Sequence, residues 1–169
     1  MQIIGVDPGL SGALAMVGPR GLEAVADMPT MTRGNGEAKV KNQVNAAALA
    51  QLLREWTRDY DREAILVVLE RQAPFRAPGT KPQGTSSVFS LGHTTGIIEG
   101  VVVACRFPNC EVTPGSWKKA FSIPGGKENK GKARELAQRF YPEADLARKK
   151  DHNRAEAILI ARWGYEEHA

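Results

Sequence analysis

The sequence lacks the features that mark secreted and membrane proteins. It has two cysteines, Cys105 and Cys110, which are too few for a disulfide framework or a zinc ligand set. No uninterrupted apolar run approaches the roughly 20 residues of a membrane-spanning helix. The start, MQIIGVDPG, has neither the basic region nor the small-residue cleavage site of a signal peptide. We therefore expect a cytoplasmic protein with reduced thiols and no membrane partner.

Length and composition predict one globular domain. The 169 residues contain no repeat, no low-complexity tract and no convincing linker, so a single domain over residues 1–169 is expected. Apolar residues make up 42% and charged residues 25%, a balance typical of folded proteins. The 23 Lys and Arg residues against 19 Asp and Glu give a net charge of +4, which permits a polyanionic partner without establishing one.

The first third of the chain predicts a β-meander. Short apolar runs at Gln2–Asp7, Ala13–Val17 and Leu22–Ala26 are separated by Gly- and Pro-containing turns. Strands joined by such tight turns should pair antiparallel. The polar, Gly-containing stretch Met28–Asn42 predicts a loop, and Asn45 is placed to cap a helix that follows it.

The rest of the chain alternates helices with strands. The apolar run Ala64–Leu69 ends at Glu70 and is typical of a central strand buried on both faces. A mostly apolar helix is expected at Ser86–Cys105, and Val112 lies in another short strand. Further helices are predicted at Pro114–Phe121, Ala133–Tyr141 and Asp151–Trp163. The order β-β-β-α-β-α-β-α-α-α predicts an α/β fold whose mixed five-stranded sheet joins the antiparallel meander to parallel strands, with helices on both faces.

Acidic residues lie where these elements begin or end. Asp7 ends the first strand and Glu70 ends the fourth. If the two strands are parallel neighbours, both carboxylates emerge at one edge of the sheet, about 4.8 Å apart. The last helix opens with a third cluster, DHNRAE, in which His152 and Glu156 share one face. Carboxylates brought together in this way repel unless a cation joins them, and Mg²⁺ prefers a few carboxylates with waters and phosphate oxygens.

Each of these residues also has an ordinary structural interpretation. Asp7 could form the turn before Pro8-Gly9, and Glu70 could pair with an arginine at the end of its strand. Asp151 could be a helix N-cap, and His152 could be a surface residue. The hypothesis of a metal site depends on the three acidic positions taken together with the order of the elements.

Three segments resemble the RuvC family of Holliday-junction resolvases, particularly its short phage-borne members: IIGVDPGLSGALA, AILVVLERQAPF and DHNRAEAILIARWG. The stretch from Gly92 to Val103 also resembles the family, so that the resemblance spans nearly the whole chain. It implies an RNase H-like fold, a homodimer, and cleavage of four-way DNA junctions with Mg²⁺, or Mn²⁺ as a substitute. Two ions per site are expected, and no small-molecule cofactor.

The resemblance also implies roles for the acidic residues. Asp7 is expected to bridge the metal ions, with Glu70 as the second acid and Glu156 as the last. The sequence departs from the bacterial pattern because the last acid is a Glu rather than an Asp, and an Asn stands three residues before it in place of an acid or His. We therefore expect the fourth ligand from Asp151 or His152, with Asp151 as a ligand and His152 as a ligand or proton carrier.

Basic residues flank the predicted acidic edge. Between Lys118 and Arg134 there are six basic residues and one acid, and Arg148-Lys149-Lys150 directly precedes the last acidic cluster. These charges would neutralise phosphates and make binding salt-dependent, although a solvated basic surface is the alternative. Relatives carry functional lysines at the positions of Lys118 and Lys130. The candidate nucleic-acid-binding lysines are Lys118, Lys119, Lys127, Lys130 and Lys132.

Two further features match the family. Phe75 lies in a Pro-rich loop after Glu70, where relatives carry an aromatic that wedges against an unstacked base; a ring folded back on the core is the alternative. Gly92, Gly96 and Gly100 repeat every four residues, which suits either packing on the sheet or the helix that the family uses for dimerisation. A two-fold dimer would place two active sites on symmetric strands of a junction.

The sequence therefore favours a metal-dependent endonuclease that resolves four-way DNA junctions by paired symmetric nicks, leaving 5′-phosphate and 3′-hydroxyl ends. Its expected location is the cytoplasm of a bacterial or phage-infected cell. The alternatives are a nuclease for flaps and other branched DNA and a non-catalytic junction-binding module. An ATPase-like protein is also considered, because GVDPGLSG resembles the first phosphate loop of the actin and sugar-kinase superfamily. That fold needs two such halves, and this chain has one.

Overall fold

The computed structural model describes residues 1–33, 41–73, 84–125 and 130–169. The strands within these ranges are β1 (Gln2–Asp7), β2 (Ala13–Gly18), β3 (Gly21–Asp27), β4 (Thr30–Arg33), β5 (Lys41–Val44), β6 (Ile65–Glu70) and β7 (Asn109–Val112). The α-helices are α1 (Ala46–Thr57), α2 (Thr85–Ala104), α3 (Pro114–Ala120), α4 (Lys130–Phe140) and α5 (His152–His168). Short 3₁₀ turns at Arg62–Ala64 and Lys149–Asp151 precede β6 and α5.

The main sheet has five strands in the order β3-β2-β1-β6-β7. β1 pairs antiparallel with β2, and β2 pairs antiparallel with β3, which confirms the predicted meander. β1 and β6 run parallel, as do β6 and β7. The predicted mixed five-stranded α/β sheet is therefore confirmed, and β6 is an interior strand as its unbroken apolar run indicated.

Each face of this sheet carries its own hydrophobic core. Alternate residues of a strand point to opposite faces, so Ile3 packs with α3, α4 and α5 while Ile4 packs with α1 and α2. On β6, Val68 belongs to the first core and Val67 to the second. Helices thus cover both faces, as expected, and odd-numbered β1 residues face α5.

Helix α5 lies unusually close to the centre of the sheet because glycines face it. A Cβ added to Gly5 would lie 2.3 Å from the backbone nitrogen of Ala161 and 2.4 Å from the carbonyl oxygen of Ala157. On the helix, a Cβ at Gly164 would lie 2.7 Å from a methyl group of Val68. These glycines let the backbones of α5 and β1 approach directly, and the contact sets how far the start of α5 reaches towards the end of β1.

The segment predicted as a loop at Met28–Asn42 contains two strands. β4 and β5 pair antiparallel with each other, in the register Thr30 to Val44, and form a ribbon separate from the main sheet. Their pairing depends on backbone hydrogen bonds between stretches with little apolar character, so hydrophobic periodicity did not predict them. The helix expected after Asn45 is confirmed, since the Asn45 side chain accepts a hydrogen bond from the Ala48 amide at 3.1 Å.

Helix α2 is long and apolar enough to cross a membrane by length and composition alone, and it is the one such helix among the described residues. Core helices of proteins without membrane spans pass the same test. Ile98 and Val102 of α2 are buried against α1 and the sheet, whereas Phe89 and Val103 are 68% and 61% exposed.

Replacing Gly5 by Ala should lower the free energy of unfolding by about 3 kcal/mol or more, because the new methyl group meets backbone atoms of α5 that cannot move individually. Urea denaturation followed by tryptophan fluorescence measures this change. Gly131→Ala in α4 is the matched control, since its Cβ meets nothing within 4 Å, and it should stabilise the protein by up to about 1 kcal/mol. Equal effects of the two substitutions would contradict the packing described here.

Candidate active site

The carboxylates of Asp7 and Glu70 lie at the same edge of the sheet. Val6 pairs with Leu69 in the parallel ladder, so the next residues on the two strands, Asp7 and Glu70, are neighbours. Adjacent strands are about 4.8 Å apart, and residues side by side in a parallel ladder point to the same face. That face is the one covered by α5. Both acids are buried, with 8% and 7% of their surfaces exposed.

A tight turn after β1 positions Asp7. The amide of Gly12 donates a hydrogen bond to the carbonyl of Gly9 at 3.1 Å, which closes the turn between β1 and β2. A Cβ at Gly12 would lie 2.0 Å from the backbone oxygen of Asp7, so a side chain there cannot be accommodated without moving the turn. The PGLSG sequence therefore holds the end of β1 in one conformation.

Glu70 is held by hydrogen bonds from two side chains. The indole Nε1 of the fully buried Trp117 donates to its Oε2 at 2.7 Å, and Nε2 of Gln72 donates to its Oε1 at 3.1 Å. Burial raises the pKa of Glu70 above its ordinary value, and the nearby charge of Glu156 raises it further. The hydrogen bond from Trp117 and the charge of Lys118 act in the opposite direction. The ionised carboxylate is thus only partly compensated by the protein.

Helix α5 brings Glu156 to this edge. Its Oε1 lies 3.3 Å from Nζ of Lys118, with side chains 18% and 28% exposed respectively. The same ammonium lies 4.9 Å from the ring centroid of Trp117. Glu70, Glu156, Trp117 and Lys118 therefore form one connected group, in which a single lysine faces two carboxylates.

One turn before Glu156, Asn153 contacts the other side of the site. Its Nδ2 donates a hydrogen bond to the backbone oxygen of Ser11 in the turn after β1. Asn153 and Asp7 line the same cavity, of about 620 Å³, together with the turn residues and hydroxyl-bearing side chains at the start of α2. Asn153, where the resemblance led us to expect an acid or His, thus lines the same cavity as Asp7.

Asp151 occupies a different environment. It is 1% exposed, its Oδ2 accepts a hydrogen bond from the backbone amide of Arg148 at 2.7 Å, and its Oδ1 accepts one from Nε of Arg148 at 2.9 Å. Arg148 lowers the pKa of Asp151 by these bonds and by its charge. Asp151 thus completes a capping box with Arg148 on the 3₁₀ turn, whereas at the N-cap position of α5 its side chain makes no capping hydrogen bond. His152 is half-buried as the first residue of α5.

Ion pairs across the start of α5 support this arrangement. Arg154 pairs with Asp27 at the end of β3, at 2.6 Å, and with Asp145 at 3.1 Å. Arg148 also approaches Asp27, at 3.8 Å. These contacts bind the beginning of α5 to the meander and thereby fix the direction in which Asn153 and Glu156 project.

Within the described ranges, no three His, Cys, Asp or Glu side chains are close enough to form a preassembled metal cluster. Asp7 and Glu70 nonetheless supply two buried oxygen ligands on adjacent strands, and Glu156 and the amide oxygen of Asn153 lie at the same edge. Such a set fits a hard divalent cation that keeps several waters and takes further oxygens from its substrate. The incompletely compensated charge of Glu70 is consistent with this fit.

The remaining predicted site residues are distributed as follows. Lys118 lies inside the carboxylate group, whereas Lys119 and Lys132 are exposed on α3 and α4. Lys130 begins α4, and only its backbone is described. Phe75 and Lys127 lie outside the described residues.

The glycines of α2 do not pack on the sheet. A Cβ at Gly92, Gly96 or Gly100 would meet nothing within 4 Å, so no element of the described chain approaches this face closely. The alternative in which these small residues allow contact with the sheet is therefore wrong. None of the described residues covers this face.

Comparison with solved structures identifies the fold. The Thermus thermophilus RuvC structure matches 99% of this chain and 96% of its own, with a TM-score of 0.54 and 14% sequence identity. The structure of T. thermophilus RuvC in complex with a Holliday junction substrate matches over 99% of this chain and 97% of the RuvC chain, with a TM-score of 0.56 and 14% sequence identity. The chain has the RuvC fold. The fowlpox virus Holliday junction resolvase also matches, over 99% and 98% of the two chains, with a TM-score of 0.50 and 16% identity.

Sequence comparison with protein-family models and with curated proteins gives no match. The RuvC-like, RNase H-like fold expected from short motifs is thus confirmed by the three-dimensional arrangement and not by overall sequence similarity. At 14–16% identity the likeness carries the fold, and the residues of the site must be argued from their own contacts.

Two residues of the site were missed by the sequence reasoning. Trp117 stands directly before Lys118 in the segment PGSWKK, and Gln72 lies two residues after Glu70. The tryptophan was interpreted as part of a short helix, because nothing in the local pattern shows that its indole N–H is aimed at a strand 47 residues earlier. A buried tryptophan needs an acceptor for this N–H, which is the physical signal that could have suggested the pairing.

Glu70→Gln should stabilise the folded protein at neutral pH in the presence of EDTA. Because burial raises the pKa of Glu70, the folded state holds its proton to higher pH than the unfolded chain, and stability falls as pH rises through the folded-state pKa. The substituted side-chain amide carries no charge, so this loss of stability does not occur. Its oxygen can still accept the hydrogen bond from Trp117. Chemical denaturation should show the gain near pH 8 and its disappearance towards pH 4, where both states are protonated.

The matched control is Glu55→Gln, at an exposed glutamate on α1 that bonds only Gln51 among the described residues. This substitution should produce no pH-dependent gain in the free energy of unfolding. A Glu70→Gln protein that is less stable than the wild type at pH 8 would show that the buried carboxylate is favourably compensated in the folded state.

Proposed function

We propose that this protein is a metal-dependent endonuclease that resolves four-way DNA junctions by paired symmetric nicks. The observation that carries the proposal is the placement of Asp7 and Glu70, buried and side by side at the ends of parallel strands, with Glu156 facing them from α5. This arrangement occurs in a fold shared with a RuvC structure solved on a Holliday junction substrate. The expected products carry 5′-phosphate and 3′-hydroxyl ends.

The proposed cofactor is Mg²⁺, with Mn²⁺ as a substitute and two ions per site. Asp7, Glu70 and Glu156 would hold the cations, and Asn153 is the fourth donor that the geometry favours over Asp151. A bound divalent ion supplies a nucleophilic water near neutral pH and stabilises the charge that develops on the phosphodiester. No small-molecule cofactor is proposed.

Lys118 and Trp117 prepare this site. The lysine ammonium balances the charge of Glu156, and the indole orients one oxygen of Glu70, so both carboxylates are held in place before substrate binds. With a divalent cation held by Glu156, Lys118 would be available to bind a phosphate oxygen of the strand. His152, half-buried one turn before Glu156, is proposed to carry a proton at the edge of the site.

DNA is proposed to lie across the carboxyl edge of the sheet and the basic surface of α3 and α4. Lys119 and Lys132 are exposed there, and Lys127 and Lys130 belong to the same basic stretch of sequence. Contacts to phosphates account for affinity and make it fall with salt, whereas selection of the branched form would depend on Phe75 stacking on an unpaired base. The proposed setting is the cytoplasm of a bacterial or phage-infected cell.

A homodimer through α2 is the proposed assembly. The open face of this helix carries Phe89, Gly92, Gly96, Gly100 and Val103, which fall within about one quarter of the helical circumference at 100° per residue. Exposed apolar side chains at both ends of a glycine stripe suit close, self-complementary contact between two helices. Such a dimer would present two active sites to opposite strands of a junction.

A non-catalytic junction-binding protein is the second candidate. The ion pair of Lys118 with Glu156 favours it, because a lysine that permanently neutralises this carboxylate would oppose metal binding. The two candidates differ in one measurement, which is cleavage of a labelled four-way junction in the presence of Mg²⁺. Flap and linear duplex substrates in the same assay separate a junction resolvase from a nuclease for branched DNA in general.

Asp7→Asn should reduce junction cleavage by about a thousandfold or more and leave junction binding within a few-fold of the wild type, because one ligand is lost while the basic surface is unchanged. Cleavage is measured on labelled junctions with Mg²⁺, and binding is measured without metal. Glu55→Gln, an exposed carboxylate-to-amide change on α1, is the control and should be fully active. Undiminished cleavage by Asp7→Asn would refute the site, and no cleavage by the wild type would favour the binding module.

Gly96→Glu should convert the dimer to a monomer, because it places a charged side chain in the centre of the open α2 face. Size-exclusion chromatography with light scattering measures the mass. Gly131→Glu on α4, where a Cβ also meets nothing within 4 Å, is the control and should leave the mass unchanged. A wild-type protein that is monomeric at micromolar concentration would contradict the proposed assembly.

A further inference from the structure

A second cavity lies at the end of the molecule opposite the carboxylates. It has a volume of about 520 Å³ and is formed where α1 and α2 both end and where β6 begins. Its lining includes Thr57 at the end of α1, Tyr60 after that helix, Ile65 at the first position of β6, and Phe107 after α2. Because β6 runs from this cavity to Glu70, about 17 Å separates it from the candidate active site.

Four arginines surround this cavity: Arg54, Arg58, Arg62 and Arg106. All four are exposed, and no carboxylate side chain of the described residues lines the cavity with them. Arg58 pairs with Asp59 at 3.3 Å, in a contact where both side chains are more than three-quarters exposed. Arg54, Arg62 and Arg106 form no ion pair within the described part of the chain. Glu55, Asp59, Asp61 and Glu63 lie in the same stretch of sequence, so the excess of positive charge is confined to the lining of the cavity, where no described carboxylate accompanies the four guanidinium groups.

Part of this charge is balanced by the helices. The last carbonyls of α1 and α2 point towards the cavity region, and each helix end carries the equivalent of about half a negative charge. Arginines in the last turn of a helix, such as Arg54, gain some stability from this field. Two such ends offset about one of the four arginine charges that line the cavity.

The backbone at Arg106 supports a role beyond capping. Its φ angle is 60°, in the left-handed region that residues with a Cβ adopt at an energetic cost and that glycine or asparagine adopts more readily. The position follows the end of α2, where glycine is the usual residue. An arginine held in this conformation projects its charge over the cavity at an energetic cost that a purely structural turn would avoid.

We propose that this arginine cavity binds phosphate groups. Guanidinium groups bind phosphate oxygens through paired hydrogen bonds, and several arginines around one concave site distinguish a multiply charged phosphate ligand from a single carboxylate. The volume lies within the range of small-ligand sites. The phosphates belong either to a free polyphosphate or nucleotide, or to the backbone of a DNA arm that is not being cut.

The cavity also has an ordered wall. The guanidinium of Arg62 lies 5.9 Å from the ring centroid of the buried Phe107, and the hydroxyl of Tyr60 accepts a hydrogen bond from Arg20 at 3.2 Å while it donates to Glu23. The charge of Glu23 is thus engaged by Arg20 and Tyr60 outside the arginine group. The walls of the site are thus fixed before an anion binds, whereas the exposed arginine side chains become ordered on binding.

The test uses the full-length protein with Arg54→Gln, Arg106→Asn and the double substitution. Asparagine tolerates the left-handed backbone, and glutamine preserves the helix, so both variants should fold. Arg139→Gln is the matched control, because Arg139 is also an exposed arginine in the last turn of a helix and is remote from this cavity. Circular dichroism and thermal unfolding establish that each variant is folded.

The first experiment measures the binding of tripolyphosphate by calorimetric titration. The second measures the binding of a linear DNA duplex by fluorescence anisotropy, without divalent metal. The double variant should bind tripolyphosphate at least about tenfold more weakly than the wild type, and Arg139→Gln should bind it within about twofold. If the double variant also binds the duplex more weakly, and the slope of log affinity against log salt falls by about two, the phosphates are those of DNA. If its duplex affinity and salt slope are unchanged, the ligand is a free phosphate compound.

The proposal is overturned if the wild type does not bind tripolyphosphate, or if Arg139→Gln weakens binding as much as the double variant does. It does not depend on catalysis, since neither experiment requires cleavage. A protein inactive on junctions could still bind phosphates here, and an active resolvase could fail this test.

Discussion

The structure depends on the direct contact between α5 and β1 at Gly5. The absence of a side chain at this position lets the backbone of α5 approach the strand more closely than any residue with a Cβ would allow. The same helix then crosses β2 and β3 and is bound to the end of β3 through Arg154 and Asp27. The reach of Asn153 and Glu156 towards the end of β1 follows from this packing.

Electrostatic balance is the second constraint on the carboxyl edge. Asp7 and Glu70 are buried at this edge, with Glu156 beside Glu70. Among the described residues, Lys118 pairs with Glu156, and Trp117 and Gln72 donate hydrogen bonds to Glu70. Asp151, by contrast, is fully engaged by Arg148. The pKa of Glu70 is therefore raised, chiefly by burial, whereas the pKa of Asp151 is lowered by its hydrogen bonds with Arg148.

Much of the fold could be predicted from local patterns. Uninterrupted apolar runs and Gly-Pro turns determine the meander and β6, and the cap at Asn45 marks the start of α1. The ribbon of β4 and β5 could not be predicted in the same way, since its stability comes from backbone pairing between polar stretches. Likewise, the partner of Asp151 was not evident, because capping and metal ligation use the same residue type at a helix start.

The sequence by itself determined which residues stand at the ends of elements, because strand termini and helix starts follow from hydrophobic period and turn chemistry over a few neighbouring residues. Only the tertiary structure decided which of those residues meet. Examples are the parallel pairing of β1 with β6, the indole that reaches Glu70 and the position of Asn153 in the cavity beside Asp7. Another is the meeting of Arg106 with the arginines of residues 54–62 around one cavity. All of these are contacts between distant segments. Such contacts depend on packing distances and on competition among possible partners, which no local pattern contains.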